Sequence, residues 1–394
     1  MTFRSSRLFL AAAAALAFLG APAAAQKIDV DASACPAMFT VLSAMRAGRP
    51  RAEITRMLEA VLDSSPYRAM FRHYNRSWRP NHLPRETFRS MILSLRFPDA
   101  YRRGTNARAD AMLDRWRRFY ADPDLFERNL RQIEATDLPG LVKAGVAYAQ
   151  TWLPPEWPIP DFRVIIHPNG GSPGFALPGE QGLDFFQLPR DGRGDIVWGE
   201  LVGTIAHESH HLGLRPAAPP GLSDADAAAF GVLSTFVGEG TATKFISKAP
   251  GGSVPALAEI PFPTAFRGDL LEAWIELSAV EGELFGRMIA DFDRAAAGRM
   301  SAPEADSEAR FWLGGLVGPA YLVGSEMFGA IQLALGKPGV FSAMRDPRRL
   351  FELYARALDR EPVRLSGCPR LPAATVARAL AIGARGPGGP RRPS

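Results

Sequence analysis

The sequence predicts an α+β fold that is predominantly α, and two observations carry that prediction. Hydrophobic residues recur at helical spacing on both sides of a short Pro/Gly-rich middle, and β-branched runs are confined to that middle. From Arg51 to about Gln150 the chain reads as amphipathic helices. Ile54, Met57, Leu58, Val61 and Leu62 form one stripe, Phe88, Ile92 and Leu95 a second, and Met112, Leu113, Trp116 and Phe119 a third. The arginines between them, such as Arg115, Arg117 and Arg118, read as solvated faces.

At Trp152 the texture changes. Leu153 to Pro160 holds four prolines and excludes regular helix. Phe162–Ile166 and Leu183–Leu188 read as strands, with Gly170, Gly171, Pro173, Gly174, Pro178 and Gly179 as turn residues between them. Together they predict a small, mostly antiparallel sheet just ahead of a helix that starts near Trp198. Helices resume from there, with breaks at 213–222 and 249–264. Pro319 suits the first turn of a helix to about Leu335, closed by Gly336 and Pro338.

The ends of the chain bear on compartment. Arg4 and Arg7 precede an apolar run, Leu8–Leu19, and then Ala23, Ala24 and Ala25, which is the pattern of a secretory signal cleaved after Ala25. The run is shorter than the roughly 20 residues of a membrane span. The expected organisation is a signal peptide (1–25), an N-terminal helical region (26–150), a catalytic domain (151–382) and a disordered tail (383–394). The expected location is periplasmic or secreted, with no stable membrane insertion after cleavage. Without Arg4 and Arg7 the net charge of +5 falls to about +3, which gives no support to nucleic-acid binding. Cys35 and Cys368 are the only cysteines, and in an oxidising compartment they could join the two ends of the domain.

The chemistry concentrates in Trp198–Gly213, WGELVGTIAHESHHLG, where Trp198, Leu201, Val202, Ile205 and Leu212 keep helical spacing and Gly213 suits a C-cap. It contains His207-Glu208-Ser209-His210-His211, an H-E-x-x-H match, and three of the chain's six histidines. Residues four apart on a helix lie about 6 Å apart along its axis and on one side. Both imidazoles can therefore reach one Zn²⁺, with Glu208 beside them to hold a proton. A catalytic site needs a third ligand, and no histidine occurs in Leu212–Pro220. A second helix opening near Ser223 carries Val237-Gly238-Glu239-Gly240-Thr241-Ala242. Glu239 is the candidate third ligand, and Gly238 and Gly240 would let this helix press on the histidine helix.

An H-E-x-x-H helix followed by a Glu-Gly-x-Ala helix resembles the gluzincin branch of the zinc metallopeptidases. HESHH, VGEGTAT and Gly318-Pro319-Ala320-Tyr321-Leu322-Val323-Gly324-Ser325-Glu326-Met327 together resemble a bacterial family of proposed zinc-dependent peptidases of unknown function, over about residues 150–340. The resemblance implies a zincin-like core, His207, His211 and Glu239 as zinc ligands, and Glu208 as general base. Where thermolysin-like enzymes carry an Asp four residues after the third ligand, this chain has Thr243, so Asp269, Glu272 or Glu276 becomes the candidate brace. Tyr321 is the candidate oxyanion partner, and His210 is expected behind the metal or facing substrate. The resulting expectation is zinc-dependent hydrolysis of a peptide or protein substrate. Its rivals are an exported zinc hydrolase of a non-peptide amide bond and a catalytically inactive binding protein of the same fold.

Overall fold

The computed structural model describes residues 27–76 and 82–384. The expected signal peptide and nearly all of the expected tail therefore lie outside the described residues. The strands are β1 (Ile28–Asp31), β2 (Phe162–His167), β3 (Gly174–Leu177) and β4 (Glu180–Asp184). Among the described residues, seven α-helices precede β2: α1 (Ala34–Arg46), α2 (Arg51–Leu62), α3 (Ser65–Tyr74), α4 (Arg85–Leu93), α5 (Ala107–Ala121), α6 (Pro123–Glu134) and α7 (Leu138–Gln150). After the sheet come α8 (Trp198–Gly213), α9 (Asp224–Phe245), α10 (Asp269–Ala279), α11 (Glu281–Ala296), α12 (Ala302–Leu313), α13 (Pro319–Arg345), α14 (Leu350–Arg360) and α15 (Ala373–Leu380). The fold is α+β and predominantly α, as the periodicity predicts. Among the described residues, no helix is long and apolar enough to cross a membrane.

The sheet is mixed rather than mostly antiparallel. Its order is β1-β2-β4-β3, with β1·β2 and β2·β4 parallel and only β3·β4 antiparallel. A tight reversal at Pro178–Gly179, where Gly179 has φ 72°, folds β3 against the outer side of β4. That leaves β4 beside β2 in the same direction. The glycine-rich stretch read as turns thus contains strand β3, and the expected strand Leu183–Leu188 stops at Asp184. Beyond it Phe185 and Phe186 are both buried. The chain tightens into a 3₁₀ turn that places Phe186 on Phe119 (centroids 4.3 Å) and Phe185 on Phe126 (4.6 Å).

Central strand β2 is covered on both faces. Phe162, Val164 and Ile166 join the main core, while Ile165 packs with Phe175, Leu177 and Ala69 of α3. Buried Gln181 of β4 ties the sheet to the back of α8, facing the Ile205 carbonyl (3.5 Å) and the Ser209 hydroxyl (3.4 Å). Cys35 and Cys368 are both buried and unbonded. Instead of reaching its distant partner, the Cys35 thiol donates to the Ile166 carbonyl at 3.3 Å.

Helix α9 carries apolar residues all round because neighbours enclose it: α8, α11 and, along most of its length, α13. The first helical stretch of α13 ends at Leu335, as expected. Gly336 (φ 66°) is non-helical and kinks the chain, and Pro338 opens a second stretch that runs on to Arg345. Beneath the kinked helix, a buried cluster fixes the chain after α9. Glu326 accepts from the backbone N–H groups of Gly252 (3.2 Å) and Val254 (2.6 Å), and Lys244 donates to the Val254 carbonyl (3.1 Å) while facing Glu326 at 3.8 Å. Burial lifts the Glu326 carboxyl to about 7, against the pull of Lys244 and with help from Glu281.

The two glycines flanking Glu239 have different tasks. A Cβ on Gly240 would lie 2.4 Å from the Gly324 carbonyl carbon, so Gly240 seats α9 on α13 and not on the histidine helix as expected. Gly238 does face the histidine helix, but with ordinary clearance: its nearest neighbour would be Leu214 at 3.7 Å and then His211 at 3.9 Å. Gly213 is the last residue of α8, and its lack of a side chain makes room for Leu153 rather than supplying a cap.

These spacings predict opposite outcomes for two glycine-to-alanine changes in denaturant unfolding. Gly324→Ala should lose about 1–3 kcal/mol, because backbone faces backbone there. Gly238→Ala should be neutral or gain up to about 1 kcal/mol from helix propensity. Equal losses at both positions would contradict the assigned crossing.

Candidate metal centre

Helix α8 delivers His207 and His211 one turn apart on one side, and α9 returns antiparallel enough to bring Glu239 over both. The Nε2 atoms of the two histidines are 3.1 Å apart, and Glu239 Oε2 lies 3.4 Å from His211 Nε2 and 3.7 Å from His207 Nε2. Three ligands held about 2.0–2.1 Å from zinc in a tetrahedral site sit roughly 3.3 Å apart, so the spacing matches that ion. The three form the group of His, Cys, Asp and Glu side chains able to hold a metal among the described residues. Glu239 Oε2 is buried and makes no hydrogen bond of good geometry, which suits a cation between the three better than a direct bond.

The electrostatics follow from that convergence. Burial would pull the His211 imidazolium down, but the nearby charge of Glu239, then that of Glu208, outweighs it and lifts it to about 9. Burial would raise Glu239, yet His211 and His207 hold it far below the usual carboxylate range. Glu208 moves the other way. Burial raises it, the two histidines oppose the rise, and Glu239 adds to it.

Each sequence-derived residue has a definite place. Glu208 lies beside the ligands under strand β3, where a Cβ on Gly174 would come within 2.9 Å of Glu208 Oε1. Only glycine lets that strand cover the carboxylate so closely. Tyr321, near the start of α13, lies over His207 with ring centroids 6.4 Å apart and planes 14° apart. The expected bracing carboxylate is absent from the candidates named: Asp269, Glu272 and Glu276 are all exposed on α10. Instead His207 Nδ1 meets the Ser247 hydroxyl at 2.8 Å, which orients the ring and leaves Nε2 for a metal. Ser247 follows the end of α9 and carries no motif, so sequence offers no signal for it. His210 neither braces the ligands nor faces substrate. It is fully buried with Nε2 on the Trp152 carbonyl at 3.2 Å, and burial, followed by the His211 charge, lowers it to about 3.

Sequence reasoning also missed the loop that carries Gly174 to Glu208. Buried Asp184 accepts from the N–H groups of Asn169 (2.9 Å), Gly170 (3.0 Å) and Phe186 (3.1 Å) and from the Gln187 amide (2.8 Å). Burial raises this carboxyl, and those four donors oppose the rise. Tyr74 accepts from the Ser172 N–H at 2.7 Å, pinning the other end of the loop.

A mainly helical fold brings two imidazoles and a carboxylate from neighbouring helices together as a group able to hold a metal, with a second carboxylate alongside, in an H-E-x-x-H setting. The chain belongs to the family described as "Putative zinc dependent peptidase (DUF5700)", which matches residues 58–362. The match reaches back into α2 and so takes in most of the N-terminal helices as well as His207, His211 and Glu239. No curated protein and no solved structure is similar enough to the chain to match it.

Loss of the Ser247 hydroxyl should weaken zinc binding by about ten- to a hundredfold, because His207 loses the partner that fixes its ring. Competition of Ser247→Ala against a chromophoric chelator measures this, and unchanged affinity would remove Ser247 from the site.

Proposed function

We propose that this chain is an exported metallopeptidase that hydrolyses peptide bonds, with His207, His211 and Glu239 as zinc ligands and Glu208 as the general base. The observation that carries the reading is the placement of Glu208, a carboxylate raised by burial, next to a donor triad spaced for zinc. A zinc ion held there supplies Lewis acidity, polarising a carbonyl and lowering the pKa of a coordinated water to about 7. Glu208 takes the proton of the attacking water and passes it to the departing amine. A raised carboxyl is suited to both steps, because it holds a proton more readily than an exposed one. The Tyr321 phenol, above His207, donates to the developing oxyanion.

The sheet supports a way of presenting the peptide. Strand β3 is at the edge, and the Pro173 carbonyl accepts from Asp184 at 2.9 Å, which turns Gly174 and Ala176 to the outer side. Arg76 caps the Ala176 carbonyl at 2.8 Å, and Gly174 stands at Glu208. An extended substrate added antiparallel at Gly174 would bring its backbone past the base. Action outside the cytoplasm is part of the proposal and is supported by the leader-like pattern of the first 25 residues.

Zinc-loaded protein incubated with casein and a peptide library should give new termini by mass spectrometry. Glu208→Gln should retain zinc and lose activity by about 10²–10⁴-fold. Bound zinc with no Glu208-dependent cleavage would favour the inactive binding protein. Turnover confined to sugar-linked amides would favour the non-peptide hydrolase.

A further inference from the structure

The loop that ends at Gly174 also forms one wall of a large cavity. Helix α5 and Gly170–Pro173 line it together with Arg267, Asp269, Leu270, Gly315 and Leu316, around a volume of about 740 Å³. That volume suits several residues of a peptide or a small ligand. The lining carries three guanidinium groups, Arg108, Arg115 and Arg267, against one carboxylate, Asp269.

Two of the three cations are held in place. Arg108 lies over the Tyr74 ring with its guanidinium carbon 4.8 Å from the centroid. Arg115 donates to the Gly170 carbonyl at 2.8 Å. Arg267, more exposed, pairs with Glu200 of α8 and so ties its part of the lining to the histidine helix. Helix α5 lines the cavity along its first turns, from Ala107 to Arg115, and α10 begins beside it with Asp269 in the lining. With Arg267 paired to Glu200, Arg108 and Arg115 against Asp269 still leave the lining with an excess of positive charge, which favours an anion.

Position relative to the base adds direction. A peptide lying antiparallel to β3 runs its carboxyl-side residues toward the start of that strand, past Gly174 to Pro173 and into the cavity. We propose that this cavity receives a carboxylate carried on the carboxyl side of the scissile bond, either an acidic side chain or the substrate's own C-terminus. A guanidinium group attracts a carboxylate through its charge, so Arg108 and Arg115 set the selectivity. This proposal rests on the peptidase reading, and the test separates the two.

Four peptides of one core sequence serve as probes: neutral and amidated, acidic on the carboxyl side and amidated, neutral with a free C-terminus, and acidic with a free C-terminus. The kcat/KM of zinc-loaded protein and the anisotropy of labelled peptides on Glu208→Gln are measured for each. Carboxylate-bearing peptides should be preferred by about tenfold or more, the better of the two single-carboxylate peptides identifying the source. In Arg108→Met, which keeps an apolar stem over Tyr74, that ratio should collapse toward one, and Arg108→Lys should restore part of it. Cleavage of all four at equal kcat/KM with equal binding overturns the proposal and leaves the peptidase reading standing. Cleavage of none overturns the peptidase reading. The binding arm then decides the cavity, and charge-independent or undetectable binding overturns that assignment too.

Discussion

Glu239 can sit between two imidazoles because α9 is pressed so closely against α13 that their backbones touch at Gly240 and Gly324. A side chain at either glycine would push the helices apart and move the carboxylate with them. The carboxylate itself is partly buried and strongly attracted to His207 and His211, so the site tends to close on itself. Even without a cation, that attraction outweighs the cost of burial, since it lifts His211 and holds Glu239 far below the usual carboxylate range. A metal ion between the three donors relieves both the buried carboxylate and the facing imidazole nitrogens. The helical half of the molecule is arranged around that convergence.

What sequence made legible was local. Helical spacing and the H-E-x-x-H pattern put His207, Glu208 and His211 on one face, because residues four apart on a helix must be neighbours. The helix of Glu239 was equally readable, as was the placement of Tyr321 at the start of its own helix. Long-range pairings were not legible. Nothing in the chain signals that Ser247 orients His207, or that Gly240 meets Gly324 rather than α8. His210 looked like part of the site because it adjoins His211, yet a helix turns about 100° per residue, and that rotation sends it into the core beneath Trp152.

The sheet illustrates the same limit. Gly174 is a strand residue that resembles a turn, since its role is to bring the backbone against Glu208 rather than to bury a side chain. The sheet also takes in β1, which pairs with β2 from more than a hundred residues away, and no local periodicity reports such a partner. The N-terminal helices contribute to the site through this architecture. They cover one face of β2, supply Tyr74 to the loop before β3, and place Arg108 and Arg115 beside the cleft.

The central claim concerns where a single ion sits. Crystals of zinc-loaded protein, measured on both sides of the zinc absorption edge, test it most directly. The account requires one anomalous peak within about 2.0–2.2 Å of His207 Nε2, His211 Nε2 and a Glu239 oxygen. A peak elsewhere, or a Glu239 side chain turned away from the two histidines in the loaded protein, would contradict it.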